Sequence, residues 1–223
     1  MTDARLDLKR RQRLGMVEAV WGQHKSADQI ASVLRGFDQA CELGLVTRVE
    51  PKEAAAVQEL LPAAAYHSDA RCLTLGSFPE LETAPADVAV LSGGTSDASV
   101  VAEISLALRW HGVGVHSFMD VGVAGLHRLL DVLPQLQASK VLIACAGMEG
   151  ALPTVLAGLV AQPVIGVPVS VGYGVSQGGR CALDGMLASC APGLTVVNID
   201  NGYGAAMAAL RILRGQLAPS QQS

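Results

Sequence analysis

Aromatic and charged residues are scarce in this sequence. Only eight of its 223 residues are Phe, Trp or Tyr and only 16% are charged, whereas half are apolar and 24 are Gly. A core of Ala, Val, Leu and Gly suits helices packed closely on a parallel sheet, and such a composition excludes disorder for most of the chain. Because the net charge is −4, no basic surface is expected for nucleic acid or an anionic membrane, and small molecules remain as partners.

The sequence also lacks long apolar runs, a signal peptide and paired cysteines. Its least charged stretch, residues 150–179, is interrupted by Gly and Pro and cannot supply a membrane helix of roughly 20 residues. Residues 1–13 are charged throughout, unlike a signal peptide. Five cysteines without a CxxC pair favour reduced thiols over a disulfide framework, so we expect a cytoplasmic protein.

Charge divides the chain into two regions, because residues 1–83 hold 22 of the 36 charged residues. The patterns in this first region predict a helix from Ser26 to near Gly44, a short strand over 45–49 and a second helix over 51–61. Turn formers without periodicity place a boundary within 78–85. We therefore expect a small, mainly helical region over 1–83 and a separate domain over 84–223.

The second region alternates short β-prone runs with helical stretches, which is typical of βαβ units. The predicted strands are 88–91, 113–118, 141–146, 164–169 and 195–199, and the predicted helices are 97–110, 123–138, 151–161, 178–190 and 204–214. All five strands read as buried on both faces, so we expect a doubly wound parallel sheet. Ligands bind such sheets at the carboxyl ends of the strands.

The loop after the first of these strands contains Gly94, Thr95, Ser96 and Asp97 and leads directly into a helix. Its N–H groups and the helix N-terminus can receive a phosphate. The alternative is a plain glycine turn with Ser96 or Asp97 as the helix cap. The loop is neither a Walker loop nor a GxGxxG dinucleotide loop.

The loop after the third strand carries a single carboxylate, Glu149, among the small and apolar residues Cys145, Gly147 and Met148. Burial there would raise its pKa and suit the carboxyl to proton transfer. Alternatively, Glu149 is only a favourable charge at a helix N-terminus.

The remaining loops contribute further candidates. Ser170 and Gly172 lie in a Gly-rich and hydroxyl-rich loop, as expected where backbone approaches a ligand. Cys190 lies at a break in structure rather than within a helical face, and its reactivity depends on its neighbours. Asn198 and Asp200 precede the last helix, where they can bind ribose hydroxyls or a divalent ion, or form an ordinary turn.

Three short motifs resemble the aminoimidazole ribonucleotide (AIR) carboxylase/mutase family. They are Gly94-Thr95-Ser96-Asp97, Ala146-Gly147 with Leu152-Pro153, and Gly166-Val167-Pro168-Val169. The resemblance implies an octameric, flavodoxin-like fold that handles CO2 and a ribonucleotide. The segment that supplies that family's catalytic histidine has no counterpart here, and Asp120 falls at the corresponding position.

Longer runs are similar to the pyridinium-3,5-biscarboxylic acid mononucleotide synthase (LarB) family of nickel-pincer cofactor biosynthesis. The similarity covers roughly 10–215, including the opening near Trp21-Gly22 and the runs 120–128, 146–153, 169–174 and 196–202. It implies carboxylation of the pyridinium ring of nicotinic acid adenine dinucleotide at C5 and hydrolysis of the phosphoanhydride. The products are pyridinium-3,5-biscarboxylic acid mononucleotide and AMP.

The same resemblance implies roles for individual residues. Cys190 would add to the pyridinium ring, Glu149 would remove the C5 proton or assist the hydrolysis, and Asp120 would contact the ribose or a metal. The expected substrate contacts are Gly94, Thr95, Ser96, Asp97, Cys145, Gly147, Met148, Ser170, Gly172, Asn198 and Asp200. We expect no tightly bound cofactor, CO2 as co-substrate and a homo-octamer. Mg²⁺ would suit the anhydride cleavage, although no carboxylate cluster requires it.

Two other functions compete with this interpretation. One is an AIR carboxylase/mutase of purine synthesis, which the missing histidine segment disfavours. The other is a non-catalytic nucleotide-binding domain, which would not need Cys190, Glu149 and Asp120 together. The N-terminal region can be a substrate lid, an oligomer contact or a docking site for a later enzyme, and nothing in its residues decides among these.

Overall fold

A computed structural model describes residues 5–80 and 86–215 of the chain. The chain divides into two compact units between Pro79 and Glu80, within the segment where the sequence places a boundary. Each unit has its own hydrophobic core.

Within its described residues, 5–79, the first unit contains three helices and a four-stranded sheet. Its elements are α1 (Arg10–Leu14), β1 (Ala19–Trp21), α2 (Ala27–Gln39), β2 (Gly44–Thr47), α3 (Pro51–Leu60), β3 (Ala65–His67) and β4 (Cys72–Leu75). The strand order is β1-β2-β4-β3, in which β1 and β2 are parallel and the other two pairs are antiparallel.

Helix α2 begins at a capping box, in which the Ser26 hydroxyl accepts the Gln29 N–H at 3.2 Å and the Gln29 side chain accepts the Ser26 N–H at 3.0 Å. These bonds satisfy donors that a helix N-terminus otherwise leaves unpaired. Its apolar face, which includes Ile30 and Leu34, is buried in the same cluster as Val46 of β2.

The sequence predicts α2, β2 and α3 but not the other three strands of this unit. Strands β1, β3 and β4 have three or four residues each, too few for a period-2 pattern to stand out. The unit is therefore mixed α and β rather than mainly helical.

The second unit is a parallel sheet with helices between its strands. Its elements are β5 (Val88–Ser92), α4 (Ala98–Trp110), β6 (Val115–Phe118), α5 (Leu126–Leu136), β7 (Val141–Ala146), α6 (Ala151–Ala157), β8 (Val164–Pro168), α7 (Arg180–Leu187), β9 (Thr195–Val196) and α8 (Gly202–Gly215). The strand order is β6-β5-β7-β8-β9 and every pair is parallel. This is the flavodoxin-like order, and the prediction of a doubly wound sheet is confirmed.

Burial differs between the centre and the edges of this sheet. Every residue of β5, β7 and β8 is buried, whereas β6 exposes two of its four residues and β9 has only two residues. The prediction that all five strands are buried on both faces is therefore wrong for the two edge strands, since each has only one neighbour. Helix α7 also ends at Leu187, earlier than predicted, so Cys190 lies beyond it.

Candidate active site

A cleft of about 470 Å³ opens at the carboxyl ends of the parallel strands. Loops after β5, β6, β7 and β8 line it, and the strand order reverses between β5 and β7. This is the topological switch point where open α/β sheets bind ligands. The cleft is lined by Gly93, Gly94, Ser96, Asp97, Gly122, Val123, Ala124, Arg128, Ala146, Gly147, Met148, Glu149, Ala151, Leu152, Val171, Gly172 and Tyr173.

Asp97 is a buried carboxylate at the base of this cleft, with only 4% of its surface exposed. Its Oδ2 accepts the Gly94 N–H at 3.0 Å, which ties the loop back onto the start of α4. Burial raises the pKa of Asp97 and nearby Asp200 adds to the rise, while hydrogen bonds from Gly94 and Gly93 oppose it. Ser96 lines the cleft beside it, whereas exposed Thr95 does not.

Asp120 does not line the cleft but holds a residue that does. Its Oδ2 forms an ion pair of 2.6 Å with Nη1 of Arg128, and its own N–H donates to the Ser92 hydroxyl at 3.0 Å. Asp120 has a φ of 59°, a left-handed conformation that is uncommon outside Gly. The pair is partly exposed, so it contributes little to stability. Its effect is to orient the Arg128 guanidinium, which lines the cleft.

Glu149 lines the cleft in the tight loop between β7 and α6. The loop is pinned to its neighbour, since the Met148 N–H donates to the Val171 carbonyl at 3.3 Å. A Cβ at Gly147 would lie 2.2 Å from that same carbonyl oxygen, so only glycine permits the approach. Glu149 itself is exposed to the cleft, whereas the sequence predicts a buried carboxyl.

Three of the predicted residues after β8 and β9 support the loops rather than the cleft surface, namely Ser170, Asn198 and Asp200. Asp200 Oδ1 accepts the Ser170 N–H at 2.8 Å, and the Asp200 N–H donates to the Pro168 carbonyl at 2.9 Å. The Asn198 side chain accepts the N–H of the next residue at 2.9 Å. These Asp200 bonds therefore hold in place the loop that contains Gly172, which lines the cleft.

The two cysteines singled out from the sequence lie in unlike places. Cys145 is wholly buried within β7, and burial raises the pKa of its thiol well above the usual value, with Asp97 and Glu103 adding to the rise. Its side chain therefore does not meet a ligand in this conformation, contrary to the prediction of a substrate contact. Cys190 is exposed.

Topology separates Cys190 from the cleft of its own chain. Helix α7 leaves the carboxyl end of β8 and returns to the start of β9, where Thr195 pairs with Ile165 near the amino end of β8. Met186 already lies level with mid-strand, since a Cβ at Gly166 would be 3.1 Å from its sulfur. Cys190 follows, toward the amino ends, and does not line the cleft.

The structure thus brings together one part of the predicted set. Seven of the predicted residues line the cleft, namely Gly94, Ser96, Asp97, Gly147, Met148, Glu149 and Gly172. The other seven do not, namely Thr95, Asp120, Cys145, Ser170, Asn198, Asp200 and Cys190. Sequence reasoning missed Arg128 and Tyr173. Both lie within runs that carry the family resemblance, and a cationic or aromatic residue among small ones was the available signal.

Metal-ligating side chains do not cluster in the described part of the chain. Among residues 5–80 and 86–215, no three His, Cys, Asp or Glu side chains cluster as ligands would. In the same part of the chain, no helix has the length and apolar character needed to cross a membrane.

Comparison with known proteins agrees with this architecture. Residues 1–77 match the LarB/PurE-like N-terminal domain and residues 87–222 match the AIR carboxylase domain. An uncharacterized protein of Methanocaldococcus jannaschii is 37% identical over 209 residues, covering 90% of this chain and 80% of the relative. The N5-carboxyaminoimidazole ribonucleotide mutase of the same organism is 33% identical over 133 residues, covering 56% of this chain and 78% of that protein.

The second unit and its cleft are thus those of an AIR carboxylase-type α/β protein, a class that indicates a carboxylase-type enzyme. The LarB/PurE-like N-terminal domain that precedes it identifies the family within this class. With both domains matched in order, the chain belongs to the LarB family.

Proposed function

We propose that this chain carboxylates C5 of the pyridinium ring of nicotinic acid adenine dinucleotide and hydrolyses its phosphoanhydride. The products are pyridinium-3,5-biscarboxylic acid mononucleotide and AMP. The observation that carries the proposal is the ionisable set of the cleft in a LarB-family chain. That set is Asp97, Arg128 and Glu149, with no histidine among the lining residues.

The chemistry requires a thiolate, an acceptor for one proton and a site for anions. Thiolate addition to C4 of the pyridinium forms a C–S bond and moves an electron pair to the ring nitrogen. The resulting enamine is nucleophilic at C5 and attacks CO2. Loss of the C5 proton followed by expulsion of the thiolate restores the aromatic ring, so the sequence is redox-neutral.

Glu149 accepts the C5 proton in this proposal, which its exposure on the cleft wall supports. Arg128 supplies a guanidinium for the substrate's carboxylate or phosphates, and Asp120 acts as a positioning residue that holds it. The backbone of the Gly93-Gly94 loop and the N-terminus of the 13-residue α4 favour the phosphate or ribose end.

Cys190 enters this scheme through the homo-octamer that the resemblance implies. Since its own cleft lies at the other end of the sheet, we propose that Cys190 of one copy reaches the cleft of another. Exposed Leu187 next to Cys190, and exposed Val175 beside the cleft, give both places an apolar surface that a second copy can cover. The active site is then complete only in the assembly.

The hydrolytic half of the reaction divides the diphosphate between the two nucleotides. A water oxygen bonds to one phosphorus as the bridging P–O bond breaks, which releases AMP and the carboxylated mononucleotide. Arg128 offsets charge on the phosphates during this step.

A mutase acting on a carboxylated aminoimidazole ribonucleotide is the second candidate, favoured by the 33% identity to such an enzyme over the second unit. The cleft does not favour it, since His116 and His127 lie outside the lining. The two functions are separated by product analysis with each substrate and ¹³C-bicarbonate. Label in a pyridinium mononucleotide supports the synthase, whereas isomerisation of the carboxylated aminoimidazole ribonucleotide without any need for bicarbonate supports the mutase.

A further inference from the structure

Tyr173 is an aromatic side chain that the protein leaves almost uncovered. It exposes 78% of its surface in a chain with only eight aromatic residues. Its hydroxyl makes no hydrogen bond within the described residues, and no other aromatic ring lines the cleft there. Large rings are normally retained for the area they bury, so an uncovered ring at a cleft points to burial against a ligand.

The backbone that carries Tyr173 is joined to the loop of Glu149. Val171 accepts the Met148 N–H, which joins the loop after β8 to the loop after β7 two residues before Tyr173. Gly172 lies between Val171 and Tyr173 in the chain. A Cβ at Gly172 would lie 2.5 Å from the Ser176 carbonyl oxygen, so the turn that exposes the Tyr173 ring requires glycine. Tyr173 and Glu149 therefore border the same part of the cleft.

We propose that Tyr173 stacks on the pyridinium ring of the substrate and holds it beside Glu149 through a cation–π contact. This inference rests on the proposed function. A pyridinium is planar and positively charged, and the face of a tyrosine ring attracts such cations. The contact is strongest with the charged ring and fades when thiolate addition neutralises the ring nitrogen, so Tyr173 is a specificity-determining residue for the oxidised, cationic ring.

The test is equilibrium binding of nicotinic acid mononucleotide and of AMP to the full-length wild type and to Tyr173→Phe and Tyr173→Leu, by calorimetry. Tyr173→Leu should weaken mononucleotide binding on the order of tenfold, Tyr173→Phe should retain it, and AMP binding should not change. Gln177→Ala is the matched control, because Gln177 is exposed on the same loop and does not line the cleft.

Several results would overturn the proposal. Unchanged mononucleotide binding by Tyr173→Leu, in a wild type that binds and carboxylates, would refute the ring contact alone. Selective loss of AMP binding would assign the ring to adenine instead. A smaller oligomer of Tyr173→Leu by size exclusion with light scattering would make it a contact between copies. A wild type that binds no pyridinium nucleotide would refute the proposed function together with this contact.

Discussion

The placement of Cys190 away from the cleft predicts complementation between two inactive variants. Cys190→Ala removes the thiol that the mechanism needs, and Glu149→Gln removes the proton acceptor, so each variant alone should lose carboxylation while keeping its fold. Both side chains are exposed, so neither substitution opens a cavity in the core.

The expected magnitude follows from the geometry of a shared site. In a homo-oligomer each site takes its thiol from one copy and its carboxylate from another. When equal amounts of the two variants assemble at random, half of the copies carry an intact Cys190 and half carry an intact Glu149. About a quarter of the sites then contain both groups, and the mixture should recover roughly a quarter of wild-type carboxylation.

The assay is co-expression of the two variants with different affinity tags, purification through both tags, and measurement of ¹³C incorporation into the pyridinium product. Each variant purified alone is the control, together with a mixture of the two made after assembly. A co-assembled sample no more active than the separate variants would refute the shared site, since two groups of one chain are never both intact in it.

Three further predictions concern the cleft. Arg128→Gln should raise KM on the order of tenfold to a hundredfold through a lost anion contact, whereas Asp120→Asn should raise it less and leave kcat nearly unchanged, as steady-state kinetics will show. Gly147→Ala forces a Cβ to 2.2 Å from a loop carbonyl and should cost about 1–3 kcal/mol in urea unfolding, while Gly94→Ala, with no atom within 4 Å, should cost much less. Because burial raises the pKa of Asp97, the folded state keeps a proton that the unfolded chain releases, so unfolding free energy should fall as pH rises from 3.8 through the raised pKa. Asp97→Asn should remove that fall, and equal pH slopes for wild type and variant would contradict it.

The second unit was largely predictable because short stretches of its sequence show where each strand and helix begins. The predicted strand starts at 88, 141, 164 and 195 coincide with those of β5, β7, β8 and β9, since buried parallel strands read as short apolar runs between helices. The strands of the first unit were less predictable. Its strands β1, β3 and β4 are stabilised by pairing with residues distant in sequence, which no short window contains.

The candidate site shows the same limit at the level of side chains. Strand-end loops identified the neighbourhood of Asp97 and Glu149, because topology alone brings carboxyl ends together. The sequence did not reveal that Asp120 turns to Arg128, or that Cys145 faces the core, since both depend on side-chain directions set by packing. The role proposed for Cys190 requires in addition contacts between copies, so it stays a prediction.

Carboxylation of a pyridinium nucleotide by this chain can be measured by mass spectrometry. Purified wild type is incubated with nicotinic acid adenine dinucleotide and ¹³C-bicarbonate, with and without Mg²⁺, and with aminoimidazole ribonucleotide in a parallel reaction. We expect AMP and a pyridinium mononucleotide that carries one labelled carboxylate. Label in the imidazole product alone, or no turnover of the dinucleotide under either condition, would contradict it.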